Sequence, residues 1–183
     1  VLFRSGGYVF KTVGDAFCAA FPTATDALAS TIEIQEQVKE ESWGESPIRI
    51  RMALHTGTAE ERDGDYFGRA VNRVARLEAA GHGGQVLVSS ATQELLADHL
   101  PEAVELKDLG VRRLKDLERP EHIFQVQTAG GAGEFPQLKT LDIRPNNLPV
   151  RVTSFVGRER EIQEIRDLLK PARMLTIAGP GGI

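Results

Sequence analysis

The chain has 183 residues, 41% hydrophobic and 26% charged, with a net charge of −4. That balance fits a soluble globular protein with room for a core, and it excludes a general nucleic-acid binder, whose footprint is basic. The single cysteine, Cys18, excludes a disulfide framework and points to a reducing, cytoplasmic setting, and no apolar run reaches the roughly 20 residues that cross a bilayer.

In chain order, Tyr8 to Val13 and Ala16 to Phe21 read as two short strands joined at Val13-Gly14-Asp15, since glycine and aspartate tolerate turn geometry. Thr23 to Glu41 is predicted as a helix capped by Thr23, its mostly apolar face recurring at three- and four-residue steps. "IRIRMALHTG" alternates as a strand from Ile48, and "ERDGD" reads as a turn-rich connection. A helix is predicted over Tyr66 to Ala80, a strand over Gln85 to Ser89, and a short helix over Ser90 to Leu96 capped by Ser89 or Ser90. Val104 to Leu117 reads as a hairpin around Gly110, followed by a short strand, Ile123 to Val126. Hairpins mixed with helices favour an α+β sheet over a Rossmann sheet. After Gln127, Gly, Pro and Asn without periodicity read as a linker over residues 128–152. A new unit over residues 153–183 then opens with a helix in "GREREIQEIRDLLKP", its face formed by Ile162, Ile165, Leu168 and Leu169 and its end set by Pro171, before the strand "RMLTIAG".

Two segments hold charges that a plain structural pattern does not require. Lys11 and Asp15 flank the first turn. In "DGDYFGRAVNRVARLEAAG", Asn72 and Arg76 lie four apart and share one helix face, with Asp65 a few residues ahead. Arg76 taken alone reads first as a solvated surface arginine. Together, "FKTVGDAFCAAF" and "GDYFGRAVNRVARLEAAGHGGQVLVSS", with "IRIRMALHTG" between them, resemble the class III nucleotide cyclases over about residues 6–127.

The resemblance implies a palm-like, ferredoxin-like α+β sheet and an enzyme that turns ATP into cyclic AMP and pyrophosphate with two Mg²⁺ or Mn²⁺ ions. Asp15 matches one of two metal aspartates, Asn72 the residue that orients the ribose, and Arg76 the residue that stabilises charge on the phosphoryl transition state. Lys11 and Asp65 match the pair that reads the purine, a donor for adenine N1 and an acceptor for its N6 amine, which implies ATP over GTP. Asp63 competes with Asp65, and the seven-residue offset to Asn72 favours Asp65. In this family each site lies between two subunits, so a homodimer is the implied partner, with no membrane. Nucleic acid enters only through a possible domain outside this chain. The family's first metal aspartate lies upstream of the first hairpin, so the chain is expected to be a piece of a longer protein, with its first strand and helices missing. A catalytically degenerate nucleotide sensor that regulates a fused ATPase is the alternative. A diguanylate cyclase would need Gly-Gly-Asp/Glu-Glu-Phe where this chain has Val13-Gly14-Asp15-Ala16-Phe17.

"FVGREREIQEIRDLLKPARMLTIAGPGGI" resembles the start of a STAND-type P-loop ATPase of large bacterial regulators, with Gly179, Gly181 and Gly182 in an incomplete phosphate loop. Elsewhere His55 reads as structural, Cys18 as a small core residue, and Arg112, Arg113 and Lys115 as a solvated face. His82, His99 and His122 show no metal-ligand spacing, and Trp43 in its polar loop has no assigned role.

Overall fold

The computed structural model describes residues 1–2, 4–128, 134–141 and 159–170. The chain divides into two compact units, Val1–Arg144 and Pro145–Ile183.

The first unit is a mixed α+β fold. It opens on a hairpin of β1 (Tyr8–Val13) and β2 (Ala16–Ala20), followed by helix α1 (Ala24–Glu40). Its core is a four-stranded sheet in the order β3, β6, β8, β7, formed by β3 (Met52–Leu54), β6 (Val86–Ser89), β8 (Glu121–Thr128) and β7 (Val104–Arg112). β3 runs parallel to β6, and β8 is antiparallel to both β6 and β7. The parallel pair is joined by a small hairpin, β4 (Glu60–Arg62) and β5 (Asp65–Phe67), and by helix α2 (Arg69–Ala80). Helix α3 (Ser90–Leu96) follows β6 directly.

Alternation along the strands sorts the apolar residues onto two faces. Val86 and Val88 of β6 face one way and join Leu28 of α1, Leu96 of α3, Val104 and Val126. Leu87 faces the other way and joins Leu77 and Ala80 of α2, with Leu114, Ile123 and Leu138. Both faces are therefore covered, and all of β6 is buried. The polar pair Gln85 and Gln125 sits in this interior because each satisfies the other: Gln85 Nε2 donates to Gln125 Oε1 at 2.8 Å.

Local signals account for the helix starts. Thr23 Oγ1 accepts the Asp26 N–H at 3.1 Å, and Ser89 Oγ accepts the Thr92 N–H at 3.4 Å, both N-caps.

Five predicted elements are corrected. The strand from Ile48 shrinks to Met52–Leu54, because only those residues have ladder partners, in Val86–Val88. The "ERDGD" connection is a hairpin. Its turn, Asp63-Gly64, has φ of 53° and 77°, the left-handed pair that a two-residue turn of right-twisted strands demands. The helix predicted from Tyr66 starts at Arg69, since Asp65–Phe67 pairs with Glu60–Arg62 and Gly68, at φ 119°, breaks the chain between strand and helix. The hairpin around Gly110 is instead one nine-residue strand with a bulge between Asp108 and Val111. There Gly110 takes φ 77° and its N–H is accepted by Asp108 Oδ1 at 2.6 Å. Its partner β8 is longer than the predicted Ile123–Val126.

Residues 134–141, within the segment read as linker, belong to the first unit and pack on its sheet and helix α2. Leu138 is buried among Leu77, Ala80, Leu87 and Leu114, the Lys139 N–H reaches Ala80 O at 2.9 Å, and the Leu141 N–H reaches Arg113 O at 2.9 Å. Of the second unit, helix α4 (Glu159–Leu169) matches the predicted helix, and Leu168 on its predicted apolar face is exposed. Pro171, the strand "RMLTIAG", and Gly179, Gly181 and Gly182 lie outside the described residues.

Candidate active site

The predicted site residues fall on three elements. Asp15 sits in the two-residue turn Gly14-Asp15 between β1 and β2. Gly14 takes φ 61°, the conformation that a glycine at the first turn position supplies without strain. Asp15 is exposed, and none of the described hydrogen bonds or ion pairs engages it.

Lys11 lies on β1 and Asp65 on β5, 54 positions apart (65 − 11), and their side chains meet: Lys11 Nζ is 2.5 Å from Asp65 Oδ2. The β4–β5 hairpin is docked on β1 by two further contacts. The Tyr8 hydroxyl donates to Gly64 O at 3.1 Å, and the Phe10 and Tyr66 rings meet edge to face at 5.1 Å. Strand alternation puts Asp65 and Phe67 on one face of β5 and Tyr66 on the other. Lys11 meets the first face, with its Nζ 4.9 Å from the centre of the Phe67 ring. Asp63, the competing candidate, occupies the turn, so Asp65 is the residue that faces Lys11.

The hydrogen bond from Lys11 holds the Asp65 carboxyl below its ordinary 3.8, helped by the Tyr66 N–H, which Asp65 Oδ1 accepts at 2.7 Å. Asp65 therefore stays an acceptor at neutral pH. Each of its oxygens keeps a lone pair, and the Lys11 ammonium keeps two N–H groups, so the pair can still bind an incoming donor and acceptor.

Asn72 and Arg76 lie on α2. With Ala75 and Ala79 they form one exposed face at three- and four-residue spacing. Arg76 Nη2 pairs with Asp116 Oδ2 at 2.9 Å, and Asp116 sits at φ 60°, a rare conformation for a residue other than glycine. The opposite side of α2 is tied to the sheet. Arg73 Nη1 pairs at 2.7 Å with Glu121 of β8, whose side chain is only 3% exposed, and the Ser90 hydroxyl donates to the second Glu121 oxygen at 3.4 Å. Beside this, His55 Nδ1 and Ser89 Oγ are 2.8 Å apart, and burial pushes the imidazole below its ordinary 6.5. Sequence reading missed Arg73 and Glu121. The only available signal was Arg73 falling one position after Asn72, hence off the exposed face.

The structure thus brings Lys11 to Asp65 and puts Asn72 and Arg76 on one helix face. Among the described residues no hydrogen bond or ion pair joins Asp15 to any of the four. Nor, among them, is any group of three or more His, Cys, Asp or Glu placed to hold a metal ion. The cavity of about 310 Å³ lined by Gln37, Val38, Glu41, Ser42 and Trp43 includes none of these residues. Trp43 itself is anchored by its indole N–H, which donates to Val38 O at 2.7 Å. Cys18 is half-buried on β2, and its thiol is raised by burial. No helix among the described residues is long and apolar enough to cross a membrane.

A sequence model of the adenylate and guanylate cyclase catalytic domain matches residues 2–127. An uncharacterized protein of Mycobacterium tuberculosis, Rv0891c, is 41% identical over 150 residues, which cover 81% of this chain and 50% of that protein. An adenylate cyclase of Mycosarcoma maydis is 30% identical over 209 residues, covering 75% of this chain and 8% of that protein. Among solved structures, an adenylate/guanylate cyclase/hydrolase from Silicibacter pomeroyi superposes with a TM-score of 0.62 at 35% identity, covering 68% of this chain and 73% of that one. The adenylyl cyclase CyaB from P. aeruginosa gives 0.54 at 26%, covering 72% and 77%. The chain spans about half the length of the mycobacterial relatives it matches.

Proposed function

Because the chain belongs to the adenylate and guanylate cyclase catalytic domain family, we propose that it converts ATP to 3′,5′-cyclic AMP and pyrophosphate at sites shared between two copies of the chain. The observation that carries the choice of ATP is the Lys11–Asp65 pair at 2.5 Å. Adenine presents an acceptor at N1 next to a donor amine at N6, and a lysine beside a charged aspartate is complementary to that edge.

In the reaction the ribose 3′ oxygen attacks the α-phosphorus in line. The new 3′ ester bond forms as the bond from the α-phosphorus to the oxygen it shares with the β-phosphorus breaks; pyrophosphate leaves with that electron pair, and the proton of the 3′ hydroxyl passes to solvent. Asn72 orients the ribose so that the 3′ oxygen is aligned, a positioning effect that is worth several kcal/mol in favourable cases. The Arg76 guanidinium, always charged and with donors in a fixed plane, stabilises the negative charge that builds on the phosphoryl oxygens. For this, Arg76 leaves Asp116, an exchange that costs little because exposed ion pairs are worth about 0–1 kcal/mol.

Cyclases of this family generally work with divalent metals. Asp15 fits that group as a hard oxygen donor, exposed and without a described partner, although the described residues alone do not complete a site. Asp15 would help to hold Mg²⁺ or Mn²⁺, which would supply Lewis-acid activation of the ribose hydroxyl and charge neutralisation of the triphosphate. The shared site is supported by the lack, among the described residues, of any hydrogen bond or ion pair from Asp15 to the other four, and by the exposed Asn72–Arg76 face, whose Ala75 and Ala79 allow close approach of another surface. For residues 153–183 the proposal remains the start of a STAND-type P-loop ATPase, supported by the motif "FVGRERE…AGPGG" and helix α4.

The test is incubation of the full-length protein with ATP or GTP and Mn²⁺, with cyclic products quantified by mass spectrometry. Cyclic AMP from ATP, lost in Asp15→Ala and Arg76→Ala, is the expected result. Cyclic GMP in preference would overturn the reading of Lys11 and Asp65. Absence of either product from a folded dimer would leave the nucleotide-sensing alternative.

A further inference from the structure

We propose that Phe67 is a specificity-determining positioning residue: its ring holds the Lys11 ammonium on one side of Asp65, so that the pair reads the order of donor and acceptor along the purine edge. The proposal rests on the ATP reading above and deepens it.

A lysine and an aspartate side by side do not distinguish adenine from guanine by themselves. Adenine carries a donor at position 6 and an acceptor at position 1. Guanine carries the same two functions exchanged, an acceptor at O6 and a donor at N1. A pair free to trade places would satisfy either base. Selectivity arises only if the cation and the carboxylate keep their order.

The two members of the pair start out unequal in this respect. Asp65 is short, and one of its oxygens is fixed by the backbone N–H of Tyr66 at 2.7 Å. Lys11 has a long flexible stem, and its ammonium is a point charge with rotatable donors. The Phe67 ring supplies the missing constraint. It stands two residues from Asp65, on the same face of β5, and its centre is 4.9 Å from Lys11 Nζ, within the range of cation–π attraction. The ring is itself placed by the hairpin, where Phe67 pairs with Glu60. It is also flanked by Arg62, whose Cζ lies 5.0 Å from the ring centre while its Nε is held by Glu60 at 3.0 Å. Phe67 is 38% exposed, so it is not part of the core that stabilises the fold.

The experiment compares kcat and KM for ATP and GTP in the full-length protein, in wild type, Phe67→Leu, Phe67→Tyr and Lys11→Ala. Equilibrium binding of 3′-deoxy-ATP and 3′-deoxy-GTP runs alongside and needs no turnover. Phe67→Leu is expected to narrow the ATP over GTP ratio by about two- to fivefold, through KM for ATP rather than kcat, while Phe67→Tyr, which keeps the ring face, restores it. Phe67→Met serves as a second ring-less variant if Phe67→Leu does not fold. A ratio unchanged in the ring-less variants but collapsed in Lys11→Ala overturns the role of Phe67 and leaves the pair standing. So does an equal loss toward both nucleotides, which marks a merely structural residue. A ratio unchanged in Lys11→Ala as well overturns the underlying reading of the pair.

Discussion

Arg76 and His55 show how differently two charged or chargeable side chains of one domain respond to their surroundings. Arg76 is exposed, and its ion pair with Asp116 is screened by water. Its removal is therefore expected to spare the fold and cost chemistry: Arg76→Ala should lower kcat by roughly 10²–10³-fold with a much smaller change in KM, as loss of a charge-stabilising donor does. Steady-state kinetics beside a thermal melt checks both halves. His55 is the opposite case. Burial lowers its imidazole below 6.5, with Arg73 pushing the same way and Glu121 opposing. A base with a depressed folded pKa takes up a proton on unfolding, so its contribution is fully present above about 6.5 and is lost as pH falls through the folded value. The melting temperature should therefore fall on acidification from about pH 7 to about pH 5, and fall less in His55→Gln. Lys11, Asp15, Asp65, Asn72 and Arg76 were all legible as candidates because the motif lies in residue identity and spacing. The partners of His55 and Arg76 were not, since Ser89 and Asp116 are distant in sequence and marked by no pattern.

Two elements position the site, and each has a residue whose change tests it. The β4–β5 hairpin depends on Gly64, at φ 77°, and a Cβ there would stand 3.0 Å from the Tyr8 hydroxyl. Gly64→Ala should destabilise by about 1 kcal/mol or more through left-handed strain and crowding. It should also weaken ATP selectivity, because the same turn sets Asp65 against Lys11; denaturant melts and the ATP over GTP ratio report the two effects. The Asp-Gly pair was a hairpin signal in the sequence, but the three-residue strands around it were too short to show alternation. Helix α2 depends on the tie between Arg73 and Glu121. Arg73→Ala strands a buried carboxylate, at a cost of about 1–3 kcal/mol. A Glu121→Gln change on top should recover part of that loss, which a double-mutant cycle in urea measures. Gly110 misled for a related reason: glycine serves a hairpin turn and a strand bulge alike, and only pairing with β8 on both sides of it decides.

At the level of the whole molecule, the proposed site needs two chains. Asp15→Ala and Arg76→Ala, each nearly inactive alone, should regain activity when mixed. Random exchange makes half of the dimers mixed, each with one intact site, so about a quarter of wild-type activity is expected. No recovery despite demonstrated exchange would place all the residues of a site on one chain. Downstream of the sheet, Leu138, 5% exposed, fills the cluster that also holds Leu77 and Ala80 of α2. Leu138→Ala should cost about 2–5 kcal/mol, read by urea unfolding, although composition alone marked that stretch as linker.

The sequence by itself determined what is encoded among near neighbours: the Gly14-Asp15 turn, α1 and its Thr23 cap, α3 with its cap narrowed to Ser89 or Ser90, and the α2 spacing that puts Asn72 and Arg76 on one face. Turn geometry and helix periodicity depend on residues a few positions apart, so pattern suffices for them. Only the tertiary structure decided that Asp65 rather than Asp63 meets Lys11, that Phe67 lies against the same ammonium, that Arg73 is tied to Glu121, and that Leu138 returns to the core. Those pairings span long loops, and what selects them is the packing of complete faces against one another, a property that no local stretch contains.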